Sequence, residues 1–248
     1  MRRMDETCPL CGGTGFEIRT DSGGISAAAP CACRAKARGE RLLRAAGIPR
    51  RYEHCTLASF EVHDPTHARA REIAADWVER WPLVEHGLLL LGRPGTGKTH
   101  LAVGMARDLT RTKGARVLFY EQRDLLKELQ STFDSGAARN ETDVFRPVVE
   151  CDVLVLDDLG AGRTTAWAKD VLHDILVQRY NDRMPLILTS NHPTGDDALP
   201  EPRDPAAALS LRDRLGDALM SRMYEMCRIV VVEGPDYRRR FLDATIRS

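Results

Sequence analysis

Gly92-Arg93-Pro94-Gly95-Thr96-Gly97-Lys98-Thr99 places three glycines, a lysine and a terminal hydroxyl within eight positions. Glycines at 92, 95 and 97 let the backbone curl until its N–H groups point inward, the arrangement that cradles phosphate oxygens. Lys98 would then reach the β- and γ-phosphates of a nucleoside triphosphate, and the Thr99 hydroxyl would serve Mg²⁺. A plain glycine turn can be spelled the same way. Context separates the two readings: the apolar run Gly87–Leu91 stands before the loop as a strand, and Leu101, Met105 and Leu109 recur behind it at helical spacing.

A second group closes the apolar run at 153–156 with Asp157 and Asp158. A strand that ends in acids delivers carboxylates to the carboxyl edge of a parallel sheet, where ligands bind. Strand alternation gives the two acids different tasks. Asp157 is placed to hold Mg²⁺ through water, and Asp158 to orient or deprotonate the attacking water. Taken alone, either acid would read as a helix N-cap. Thr189, Ser190 and Asn191 end another apolar run, so Asn191 could reach the γ-phosphate or the water beside it. Three such strand ends on one edge make a triphosphatase active site.

Four of the seven cysteines form two close pairs, Cys8 with Cys11 and Cys31 with Cys33, around a Gly/Ser/Ala-rich loop. Two such pairs complete a tetrahedral Zn²⁺ site, and Gly12, Gly13 and Gly15 suit a tight turn whose amides face the sulfurs. Metal binding would supply the folding energy that so small a segment cannot obtain by burial. A redox Cys-x-x-Cys would call for a preceding thioredoxin-like strand, which is not seen. A tail with scattered thiols is the remaining reading. Disulfides rarely persist in the cytoplasm. That compartment is expected because no run approaches the ~20 apolar residues of a membrane span and no apolar segment follows the basic start. Cys55, Cys151 and Cys227 stand singly, as small packing residues do.

The elements that must position these groups fit a 248-residue chain, 43% apolar and 29% charged. This suffices for one domain, 51–248, and a small module, 1–50. Lys+Arg and Asp+Glu are both 36, so net charge indicates no polyanion partner, although a local basic face is not excluded. The segment from Arg34 reads as a short basic helix stopped at Gly47: a solvated connector, or a contact for an acidic partner or nucleic acid. Ala70, Ile73, Ala74, Trp77, Val78 and Trp81 mark an amphipathic helix ending before Pro82. Beyond residue 87, five short apolar strands alternate with helices. This pattern calls for an α/β fold, a parallel five-stranded sheet between helices.

Together the motifs resemble the AAA+ P-loop NTPases, and in detail the DnaC/DnaI-type bacterial helicase loaders, with IstB-type transposition ATPases as close relatives. The resemblance runs over residues 47–240, through Gly47-Ile-Pro-Arg-Arg-Tyr52, the phosphate loop with Thr96 and His100, the Asp157-Asp158 strand, and Gly216–Arg240. It implies ATP, Mg²⁺ and Zn²⁺ as cofactors and a minimal lid. Thr96 and His100 would lie among the nucleotide-binding residues, and Arg222 would be an arginine finger acting on a neighbouring subunit. From the sequence alone, a helix arginine reads as a surface ion pair. Arg238 and Arg240 match the tail that carries a second nucleotide-sensing cation, with Arg240 assigned to binding and the choice between them open. A hexameric replicative helicase and single-stranded DNA are the implied partners, with the zinc-knuckle module as the helicase hook and no membrane contact. Arg163 and Lys169 could line the DNA path. Asp158 departs from the usual Asp-Glu pair, which implies slow, partner-dependent turnover. A transposition regulator and a non-hydrolysing ATP-gated adaptor are the alternatives.

Overall fold

The computed structural model describes residues 8–20, 22–132, 141–162, 165–195 and 209–239. Arg163 and Arg240 lie outside them. The core is a five-stranded sheet of β3 (Gly87–Leu91), β4 (Val117–Glu121), β5 (Val153–Asp157), β6 (Leu186–Ser190) and β7 (Cys227–Val231), in spatial order β4-β5-β6-β3-β7. All neighbours run parallel. Every residue of β3, β5 and β6 is buried, as expected of strands covered on both faces.

Alternation along the strands divides the core. Leu88, Leu90, Val155 and Ile187 pack with α2 (Pro65–Arg80) and α3 (Lys98–Asp108). Leu89, Leu91, Leu154, Leu156 and Leu188 pack with α4 (Gln122–Ser131), α5 (Glu141–Glu150), α6 (Ala166–Asn181), α7 (Leu211–Leu215) and α8 (Asp217–Met226). Asp157 shares parity with Val153 and Val155, so the sheet directs it towards α3. Helix α5 has no counterpart in the sequence reading, because Pro147 inside it breaks the usual helical signal. Among the described residues the chain after β7 is irregular as far as Asp236 and helical from Tyr237. The chain beyond Val231 turns back over the phosphate loop.

The amino-terminal module is an antiparallel hairpin, β1 (Phe16–Thr20) and β2 (Ser26–Pro30), running into α1 (Ala32–Ala45). The arginine face of α1 is solvated, as a connector implies, but the opposite face is docked. Gly39 is buried against the π-helical turn Leu109–Lys113 that ends α3, and a Cβ there would lie 3.0 Å from the Arg111 Cα. Glu40 pairs with Arg111 at 3.0 Å, and the Ala46 carbonyl accepts the Phe119 N–H at 2.7 Å. No helix among the described residues is long and apolar enough to cross a membrane.

Candidate nucleotide-binding site

Helix α3 starts from Gly97, which caps it in the left-handed region at φ 96°. A side chain is excluded there on two counts, since a Cβ would also come within 2.5 Å of the Phe60 ring. At Gly95, φ 82°, a Cβ would run into Asp236, and the Tyr237 N–H donates to the Gly95 carbonyl at 3.0 Å. The phosphate loop is thus clamped between the segment preceding α2 and the segment following β7. The first-turn amides of α3 have no intrahelical acceptor, which makes the helix start an anion site.

Lys98 is 5% exposed and its ammonium donates to the Arg93 carbonyl at 2.8 Å. The Thr96 hydroxyl donates to the same oxygen at 3.0 Å. Burial lowers Lys98 to about 8; Asp157 and Asp158 oppose that shift and the Arg238 charge adds to it. A buried cation held by a neutral carbonyl fits a polyphosphate ligand.

The Asp157 carboxylate accepts the Thr99 hydroxyl at 2.9 and 3.2 Å and the Thr189 hydroxyl at 2.6 Å. Burial pushes its carboxyl above the ordinary range, against those two hydrogen bonds. A hydroxyl and a carboxylate of hard oxygen at the start of α3 fit Mg²⁺, whose charge would favour the ionised acid. Asp158 adopts φ 57° and donates its backbone N–H to the Thr189 hydroxyl at 2.9 Å. Asn191 Nδ2 donates to Asp158 Oδ1 at 2.6 Å. The amide therefore orients the second acid. Thr189 binds both acids at once, a role that the sequence reading missed; the available signal was a hydroxyl on the α3-facing side of the strand, in register with Ile187.

His100 does not join this group. Its Nε2 lies 2.9 Å from the Thr56 carbonyl and 3.2 Å from the Ser59 hydroxyl, and its ring meets Phe60 edge-on. It pins the segment before α2 to α3. Arg222 is engaged elsewhere: it pairs with Glu225 at 3.0 Å and lies over the Tyr180 ring, whose hydroxyl also donates to Glu225. Of the two tail arginines, Arg238 is described, and its backbone N–H donates to Asp236 at 3.1 Å.

The sulfurs of Cys8, Cys11, Cys31 and Cys33 all lie within 4.8 Å of one another. Cys8–Cys31 is 3.8 Å and Cys11–Cys33 3.5 Å. Thiolates ~2.3 Å from a tetrahedral Zn²⁺ stand roughly 3.8 Å apart, so the set fits that ion. Burial opposes ionisation of Cys11, yet the Gly15 amide, the neighbouring thiols and the Gly13 amide bring it down to about 6, while its bond to Cys11 pushes Cys33 up to about 12.

The family model of IstB-like ATP binding proteins matches residues 27–243. The phage-like element PBSX protein XkdC of Bacillus subtilis is 27% identical over 236 residues, covering 90% of this chain and 80% of that protein. A putative insertion sequence ATP-binding protein of Sinorhizobium fredii is 33% identical over 186 residues, 73% of this chain and 58% of its own length. A crystal structure of the DnaC helicase loader superposes with a TM-score of 0.64 at 31% identity, covering 74% of this chain and 99% of that one.

Proposed function

Since the chain belongs to the family of IstB-like ATP-binding proteins, with the AAA+ fold of the DnaC helicase loader, we propose that it is an ATPase that loads a replicative DNA helicase onto single-stranded DNA. The nucleotide site carries the catalytic half of this reading. Lys98 would hold the terminal phosphates, and Thr99 with Asp157 would hold Mg²⁺, which when bound would neutralise charge at the phosphoryl oxygens. Asp158, fixed by the Asn191 amide and by Thr189, orients the attacking water and receives its proton. Thr96 steadies the loop through Arg93. The loading half is supported by the match, at 31% identity over 74% of this chain, to the DnaC chain of that crystal structure. In it, bound ATP switches affinity for DNA and helicase, Arg222 acts on a neighbour's nucleotide, and Arg240 or Arg238 senses it. The module at 1–50, clipped by Zn²⁺, would be the helicase hook.

The test is co-purification with a hexameric replicative helicase. Replacing Cys8 and Cys11 by Ser should abolish capture while nucleotide binding persists. Unchanged capture removes the hook. The 33% identity to a putative insertion sequence ATP-binding protein favours a second reading, regulation of a transposase. Capture of a transposase in place of a helicase would establish that alternative.

A further inference from the structure

Arg34, Arg38, Arg41 and Arg44 are all exposed on α1. At 100° per residue they fall within about 120° of the helix circumference and span roughly 15 Å of its length. The docked residues Gly39 and Ala46 lie on the other side. Among the described residues none of the four arginines meets a carboxylate, and the acid of the helix, Glu40, is committed to Arg111. In a chain whose charges sum to zero, this is a local concentration of cations.

The stripe ends on an aromatic ring. Phe16 of the zinc hairpin is 48% exposed and the Arg34 guanidinium lies over it at 4.6 Å. Ile18, on the same face of β1, is 77% exposed. Successive Cβ atoms about 5–6 Å apart place the arginines on the scale of one nucleotide step in a stretched strand. An exposed ring at the end of such a track offers a stacking platform for an unpaired base. An acidic protein face would satisfy the arginines and leave the ring without purpose.

We infer that the α1 arginine stripe and Phe16 form a binding surface for single-stranded nucleic acid. This rests on the loader reading, to which it adds the place where the strand lies.

The experiment is fluorescence anisotropy of a labelled 20-nucleotide oligo-dT with the full chain, ATP and Mg²⁺, at several salt concentrations. The combined Arg38→Gln, Arg41→Gln and Arg44→Gln variant should bind at least tenfold more weakly and lose about 2 from the salt slope. Phe16→Ala should weaken binding about tenfold with the slope retained. Melting temperature, zinc content and ATP affinity should stay as in the native chain. Native affinity and slope in the arginine variant would overturn the inference. So would loss of helicase capture by that variant with oligo-dT binding intact, which would assign the stripe to an acidic protein face. A native chain that captures helicase yet takes up no oligo-dT would also overturn it, while leaving the helicase contact standing.

Discussion

The Thr99 hydroxyl stands 2.9 Å from one oxygen of Asp157 and 3.2 Å from the other, joining the first turn of α3 to the end of β5. Both groups are oxygen ligands suited to Mg²⁺, so the contact marks where the ion would enter. Asp157→Asn keeps the shape and removes the charge. Affinity for metal-free ATP should be unchanged, the gain in affinity on adding Mg²⁺ should vanish, and turnover should fall on the order of 10²-fold or more. Titrations of a fluorescent ATP analogue with and without Mg²⁺ check the first two outcomes.

Lys98 sets a pH dependence. Phosphate binding needs the ammonium, which in the free chain is lost as pH rises through about 8. Bound phosphate favours the charged form and raises that value. The Lys98 contribution to ATP affinity is therefore full below pH 8 and declines above it, by up to tenfold per pH unit. Binding at pH 8.5 should take up protons, visible as different calorimetric heats in buffers of different ionisation enthalpy. Lys98→Ala should bind about 10–100-fold more weakly and lose the dependence.

Arg222 and Glu225 are both partly exposed, and such a surface pair is worth only ~0–1 kcal/mol. The guanidinium can therefore leave for a stronger anion at little cost. If it serves a neighbouring subunit, Arg222→Ala should keep ATP affinity and lose ~10³-fold in the turnover of assembled chains. Mixing that variant with Lys98→Ala chains, which keep the finger but lack a competent loop, should restore turnover. Failure of the mixture to recover would remove action in trans.

Much of this arrangement is legible in the residues because each chemical motif ends or follows a short, mostly apolar strand of five residues. Strand, loop and helix are announced together at 87–109, and the two acids and Asn191 sit on their expected strand ends. Contacts between distant segments are not legible. The Phe60 contact on Gly97 and the Asp236 contact on Gly95 bring together three separate parts of the chain, and nothing local in any of them signals it. His100 misleads through adjacency: it follows the loop in sequence, yet helical geometry turns its ring to Thr56 and Ser59. Thr189 misleads through type, since a threonine in a strand also satisfies ordinary β-preference.

Arg179 provides a stability test away from the catalytic groups. It is fully buried on α6, and burial lowers its pKa. One guanidinium nitrogen is shared among the carbonyls of Val148, Val149 and Cys151 at 2.9 to 3.2 Å, and the other donates to Pro185 at 2.8 Å. Those carbonyls belong to the end of α5, the turn into β5 and the entry to β6. The negative end of the α5 dipole replaces a carboxylate as partner to the charge. Arg179→Lys keeps the charge but loses the planar fork that reaches both groups. Arg179→Met fills similar space and leaves the carbonyls unpaired, at a cost of about 3–5 kcal/mol. Urea unfolding should show a lower midpoint with an unchanged slope for both variants. A Met variant as stable as the native chain would show that water satisfies those carbonyls and that the buried cation is dispensable.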